Sequence, residues 1–181
     1  MYEEIGIIDV GKRGREKKHK FWVGVWEIYH FDKDNRLIWK EEVENALADE
    51  GEESMLDVYL RGAAAPTNFY LGLANDTPND QTTLATLQGE PSGNGYARQQ
   101  IERSGTGWPV FEKDENNDWR ATSKLVTFTA SGGSIGPVNL MFLTDVASGT
   151  SGKFLAWAAL SQSRTLSNGE SLGCKIKIKL S

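Results

Sequence analysis

Residues 171–181, SLGCKIKIKLS, place Cys174, Ile176, Ile178 and Leu180 on one side of an extended chain and Lys175, Lys177 and Lys179 on the other. Side chains alternate across a β-strand, so this pattern demands a sheet with one face buried and the other wet. Lysines on a terminal strand also discourage accidental edge-to-edge pairing. The preceding residues extend the same logic. KLVTFTA alternates from Lys124, a Gly-rich turn follows at 131–136, VNLMFLTDV is a near-continuous apolar run, and a turn at 149–153 leads into FLAWAALS. Asn168-Gly169 is a tight-turn signal between the last two runs. Consecutive core strands are the reading that fits all of these stretches, and they make residues 67–181 a β-rich body.

The switch into that body lies in NALADEGEESMLDVYLRGAAAPTNFYLGLAND, residues 45–76. Asp49 with Glu52 three residues on forms a capping-box pattern, and Met55, Leu56, Tyr59 and Leu60 recur on one side at helical spacing. Gly62 stands where a helix ends left-handed, and Pro66 forbids continuation. Phe69, Leu71 and Leu73 against Tyr70 and Gly72 then change the apolar period to two. One short helix and a small-residue linker are expected over residues 45–66. Beyond the strand, residues 77–95 are rich in Thr, Gln, Asn, Gly and Pro and form a long loop, a feature that often serves function or covers a partner. Tyr96 to Arg103 follows as a mediocre, partly exposed strand, and Trp108 and Trp119 bracket an acidic turn that they would anchor.

Residues 1–44 read as an arm. The first twenty hold one brief apolar run, Ile5, Ile7, Ile8 and Val10, and then GKRGREKKHK, where Lys12, Arg13, Arg15, Lys17, Lys18 and Lys20 concentrate positive charge in a chain of net charge −5. FWVGVWEIYHF and RLIWKEEV, separated by Asp32-Lys33-Asp34-Asn35, predict a β-hairpin. The expectation is an assembly arm whose basic residues seek an acidic neighbour and whose Trp22, Trp26 and Trp39 bury against an adjacent subunit.

The remaining chemistry is sparse. Of 181 residues, 39% are hydrophobic and 25% charged, a globular balance, with no long apolar run and no signal-peptide pattern. The net charge argues against a dedicated nucleic-acid binder, and no membrane partner is expected. The single cysteine, Cys174, alternates with core positions and reads as buried. His19 and His30 have no companions at metal-ligand spacing. Asp32 and Asp34 begin like a calcium loop but lack its glycine and closing glutamate. Residues 149–153, GTSGK, lack the first glycine and the hydroxyl of a phosphate loop, with Ala147 and Phe154 in those places. No catalytic residue, metal or cofactor is assigned, and the six tryptophans leave a carbohydrate-binding module as a reading from another class.

Four stretches together resemble a family of tailed-bacteriophage virion proteins described as capsid decoration (cement), head or minor tail proteins. They are the helix region NALADEGEESMLDVYLRGAAAPTNFYLGLAND, YARQQIERSGTGW, LVTFTA, and GKFLAWAALSQSRTLSNGESLGCKIKIKLS, covering about residues 45–181. Within them stand Tyr70-Leu71-Gly72-Leu73, Trp108-Pro109 and the closing hairpin with Arg164-Thr165-Leu166 and Gly169-Glu170. The resemblance implies a non-enzymatic, β-rich virion subunit made in the host cytoplasm. Its partners would be the major capsid protein or other virion proteins, and it would form a homo-oligomer, a trimer favoured. The expected role is a capsid decoration protein on the shell surface, with a minor tail or head-fibre component as the alternative. The expected fold is mainly β, an antiparallel sandwich or barrel-like body with one short α-helix and an extended N-terminal arm carrying a hairpin.

Overall fold

The computed structural model describes residues 24–179. In chain order the elements are β1 (Gly24–Phe31), β2 (Leu37–Glu44), β3 (Ala46–Leu47), α1 (Asp49–Leu56) continued by a π-helical turn (Asp57–Arg61), β4 (Asn68–Ala74), β5 (Gln99–Glu102), β6 (Val110–Lys113), β7 (Trp119–Thr122), β8 (Val126–Thr129), β9 (Ile135–Thr144), β10 (Phe154–Leu166) and β11 (Ser171–Lys179). Two antiparallel sheets face each other as a sandwich and not a closed barrel. One runs β2-β1-β11-β7-β6 with β8 also on β11, and the other runs β3-β10-β9-β4-β5. Between them lies a single core. Trp26, Ile28, Phe128, Leu172, Cys174 and Ile176 come from the first sheet and Leu71, Leu73, Ile101, Met141 and Leu143 from the second.

The alternation at the C-terminus is realised as expected, with Cys174 and Ile176 buried, but β11 is not an edge. It pairs with β1 along one side from Gly24↔Ile178 to Phe31↔Ser171, and with β8 and β7 along the other. The lysines do more than discourage aggregation. Lys177 Nζ lies 2.9 Å from Glu27, and Lys179 Nζ lies 2.9 Å from Asp114 and 3.1 Å from Asp118, tying β1 and the β6–β7 turn to β11.

That pairing overturns the arm as it applies to residues 24–44. The hairpin is part of the first sheet, because eight residues of β1 hydrogen-bond along β11 and its alternating apolar residues Trp26 and Ile28 fill the common core. An aromatic-rich strand with one apolar face is stabilised most by the nearest large apolar surface, and here that surface is the chain's own.

The apolar run of β9 has a simple cause: both its faces are covered. Met141 and Leu143 point into the sandwich, whereas Leu140 and Phe142 belong to a second cluster with Ala74, Leu84, Phe154 and Trp157. Leu84 comes from the long loop, so the loop covers part of this chain's own sheet. Phe142 stacks on Phe154 at 5.8 Å and Phe154 on Trp157 at 5.7 Å. Phe142 is the cross-strand partner of Gly72, and a Cβ there would stand 2.3 Å from the ring. Gly72 is therefore a seat for an aromatic ring.

The two hairpin loops share one design. In Asp32-Lys33-Asp34-Asn35-Arg36 the Asp32 carboxylate accepts the N–H groups of Asp34 and Arg36, and Asn35 is left-handed at φ 61°. In Asp114-Glu115-Asn116-Asn117-Asp118 the Asp114 carboxylate accepts those of Asn116 and Asp118, with Asn117 at φ 66°. Both aspartates are turn formers that close a type I turn followed by a left-handed residue.

Gly72→Ala is expected to lower stability by roughly 1–3 kcal/mol or more, since Phe142 must leave its rotamer or the strands must part. Gly62→Ala, at φ 76° with open space around it, should cost about 1 kcal/mol from backbone strain alone. Chemical denaturation of both variants checks the order, and a Gly72 variant as stable as wild type would disprove the ring-seat reading.

Candidate assembly surface

The residues expected to form the interface do not come together. Trp26 is 1% exposed in the core, and Trp39 packs against the same core with the Arg164 guanidinium 3.7 Å above its ring. Trp26 cannot anchor a neighbour without unfolding the first sheet, whereas Trp39 is half-buried on the edge strand β2. Lys12, Arg13, Arg15, Lys17, Lys18, Lys20 and Trp22 lie outside the described residues. Trp108 meets Phe69 edge-on and is also structural.

What the fold leaves uncovered lies elsewhere. On the helix, Leu56, Tyr59 and Leu60 are 60%, 80% and 77% exposed. The apolar stripe read from the sequence thus faces outward, apart from Met55, which is half-buried. The helix instead sits on the body through Gly51, Met55 and Val58, above a cleft shared with Pro66, Phe69 and Leu155. Gly51 decides this orientation, because its missing side chain lets the helix backbone touch β10: a Cβ there would be 2.1 Å from the Leu155 carbonyl oxygen. Glu50 fixes the same contact by accepting the Phe154 N–H at 2.7 Å. The expected capping box is absent. Ala48 is the cap residue without a side-chain bond, and the Asp49 N–H is taken by the Asp80 carbonyl of the long loop.

A second uncovered patch is the β6–β7 hairpin, where Phe111, 72% exposed, stacks on Trp119 at 5.1 Å. Trp119, expected to anchor the acidic turn, thus lies on the outside of the molecule with its ring on Phe111. A third is the start of edge strand β2, with Leu37 and Ile38 about half exposed. Scattered exposed apolar residues are ordinary, but grouped ones mark contact surfaces.

The charged network beside these patches is structural. Glu27 is almost covered, and burial raises its carboxyl pKa. The bonds it accepts from Lys177 at 2.9 Å, Tyr29 at 2.8 Å and Lys40 at 3.2 Å outweigh that and bring it down to about 2. Burial pushes the Cys174 thiol well above its ordinary range, which makes it inert. Among the described residues no three His, Cys, Asp or Glu side chains could hold a metal ion, and no helix is long and apolar enough to cross a membrane.

Residues 46–179 match the family model described as "Podophage GP4 fiber I protein gp80". No curated protein matches the chain. The matched region runs from β3 to the last described residue of β11 and so takes in all of the second sheet.

The Glu27 cluster gives a pH dependence of known sign. A carboxyl held at about 2 when folded, against an ordinary value of 4.5, contributes stability that is complete above pH 4.5 and is lost as pH falls toward 2. Glu27→Gln should therefore melt below wild type at pH 7, and the gap should close across that acid window. Equal melting at pH 7 would show that the cluster contributes nothing. Lys177→Asp, which looks harmless if the lysines merely face water, should also destabilise by setting a second carboxylate beside Glu27.

Proposed function

The chain belongs to the family of the podophage GP4 fiber I protein gp80, a tailed-phage virion structural family, and from that membership we propose that it is a fibre subunit acting by contact and not by reaction. The observation that carries this reading is the match across residues 46–179. The stretches that carry the resemblance to virion proteins have structural tasks in this fold. Asn45 accepts the Gly24 N–H at 2.7 Å, Glu50 and Gly51 seat the helix on β10, and Gly72 seats Phe142. Arg164 covers Trp39, and Glu170 accepts the Ser167 N–H at 2.8 Å to close the turn before β11. With those residues serving the fold, function falls to the surfaces the fold does not use.

In this reading the subunit assembles with copies of itself, as a trimer, and with other virion proteins. The Phe111–Trp119 stack and the β2 edge supply apolar contact area, and an exposed strand edge supplies unpaired backbone groups that a neighbour can meet. Contacts made only in the assembled state shift the equilibrium toward it. Glycan binding at the same aromatic pair would be a separate property, read as quenching of Trp119 fluorescence by free sugars.

Quantitative mass spectrometry of purified virions tests the assignment. A fibre subunit should be present in few copies relative to the major capsid protein, and labelling with antibody and gold should place it at discrete projections. A copy number equal to, or a simple fraction of, the capsid protein spread over the shell would establish the decoration role instead. Absence from virions would overturn both.

A further inference from the structure

The exposed side of the helix is ordered along its length. Asp49, Glu52, Leu56, Tyr59 and Leu60 are all exposed, and at 100° per residue they occupy one stripe that begins acidic and ends apolar. The acids are unspent: Glu53 pairs with Lys153 and Asp57 with Arg61, but Asp49, Glu52 and the nearby Glu44 have no ion-pair partner among the described residues. Gly24, where the described chain begins, lies beside this start. It pairs across with Asn45, which accepts its N–H, and Val25 is opposite Glu44.

The sequence preceding Gly24 has the matching order. Followed backward from Gly24 it offers first the basic residues Lys20, Lys18, Lys17, Arg15, Arg13 and Lys12, and then the apolar run of residues 5–10. Residues 24–179 carry 14 basic and 21 acidic side chains, so the body is an acidic surface for a basic segment. From Asp49 to Leu60 the helix covers only about 17 Å, whereas the 14 residue steps from Val10 to Gly24 can span up to about 46 Å, so reach does not limit the match.

We propose that residues 5–20 dock along the outer face of the helix of the same chain, with the basic run over Glu44, Asp49 and Glu52 and the apolar run over Leu56, Tyr59 and Leu60. The acidic partner expected on a neighbouring subunit is then supplied by the chain itself. Two features favour this site over the β6–β7 hairpin, which also lies near β11. The hairpin acids Asp114 and Asp118 are already paired with Lys179 and Glu112 with Arg120, and the hairpin does not present acids and apolar groups in the required order. Tethering also favours the same chain, since a short covalent connection gives an effective concentration in the millimolar range.

The full-length chain carrying Ile7→Cys and Leu60→Cys tests this directly. Cys174 is buried and Leu60 is exposed, so the native cysteine does not compete and the Leu60 substitution leaves the core intact. Mild oxidation should give a disulfide within one chain whose yield does not change on dilution. Adding Asp49→Lys and Glu52→Lys, or raising salt to about 1 M where the screening length is about 3 Å, should lower that yield about fivefold. No crosslink, a crosslink only between chains, a yield indifferent to both charge reversal and salt, or an equal yield from Ile7→Cys with Phe111→Cys would each overturn the proposal.

Discussion

A buried arginine on the outer side of the second sheet holds the long loop in place, and much of the fold depends on it. The Arg98 side chain is 3% exposed and grips the Glu90 carboxylate with two bonds, from Nε at 2.8 Å and Nη2 at 2.7 Å. It also donates to the carbonyls of Val146 at 3.2 Å and Gly149 at 3.0 Å. Tyr96 donates to the same carboxylate at 2.8 Å and accepts the Leu73 N–H at 3.0 Å. Residues from β4, the long loop and the β9–β10 turn thus meet at one charge pair. Removing Glu90 would leave the Arg98 guanidinium buried without its counter-charge, a loss that typically costs about 3–5 kcal/mol. The Arg98 guanidinium also lies 5.2 Å from the Phe142 ring, which rests on Gly72, so the loop, the aromatic stack and the glycine seat form one column. That column is why a loop poor in apolar residues can roof a sheet.

The first sheet is held by different means. Its central strand, β11, is the only one of that sheet to meet β1, β7 and β8, and its outer face carries ion pairs where the second sheet carries a roof. Glu27 sits between Lys177 and Lys40 on the flanking strands, and Asp114 and Asp118 fold the β6–β7 turn onto Lys179. Several linked pairs restrain one another's side chains, so they contribute more than isolated surface bridges do.

The strands were readable because their apolar period is local: β4, β8 and β11 each show it within a few residues, and Gly62 marks the helix end with its left-handed φ of 76°. What the sequence did not disclose depends on contacts between distant residues. The hairpin reads as a free arm because nothing local to residues 24–31 points to strand β11, some 150 positions away. The helix reads with its apolar stripe inward because periodicity identifies a stripe without saying which way it faces. The decisive residue, Gly51, is informative only beside Leu155. The surface residues were equally hidden. Trp119 reads from the sequence as a turn anchor and Phe111 carries no signal of its own, so their exposed stack is visible only in the fold, whereas the twin Asp-x-x-Asn pattern of the hairpin loops was the available signal that both acidic stretches are turns.

Leu56, Tyr59 and Leu60 give the fold little that serine would not, since most of each side chain is in water. Residues that neither fill the core nor form turns are free of folding constraints, so their apolarity needs a cause outside the described body. For the helix stripe the proposed cause is residues 5–20 of the same chain, and for the Phe111–Trp119 stack it is the proposed contact with a neighbouring virion subunit. Apolar area left wet on a rigid sandwich suits either cause, as it contributes nothing to the isolated body and is stabilising only once covered. The described body keeps the two apart, with charge pairs securing the frame and the exposed aromatic and aliphatic groups outside it, so that a surface proposed for contact can change without disturbing the frame.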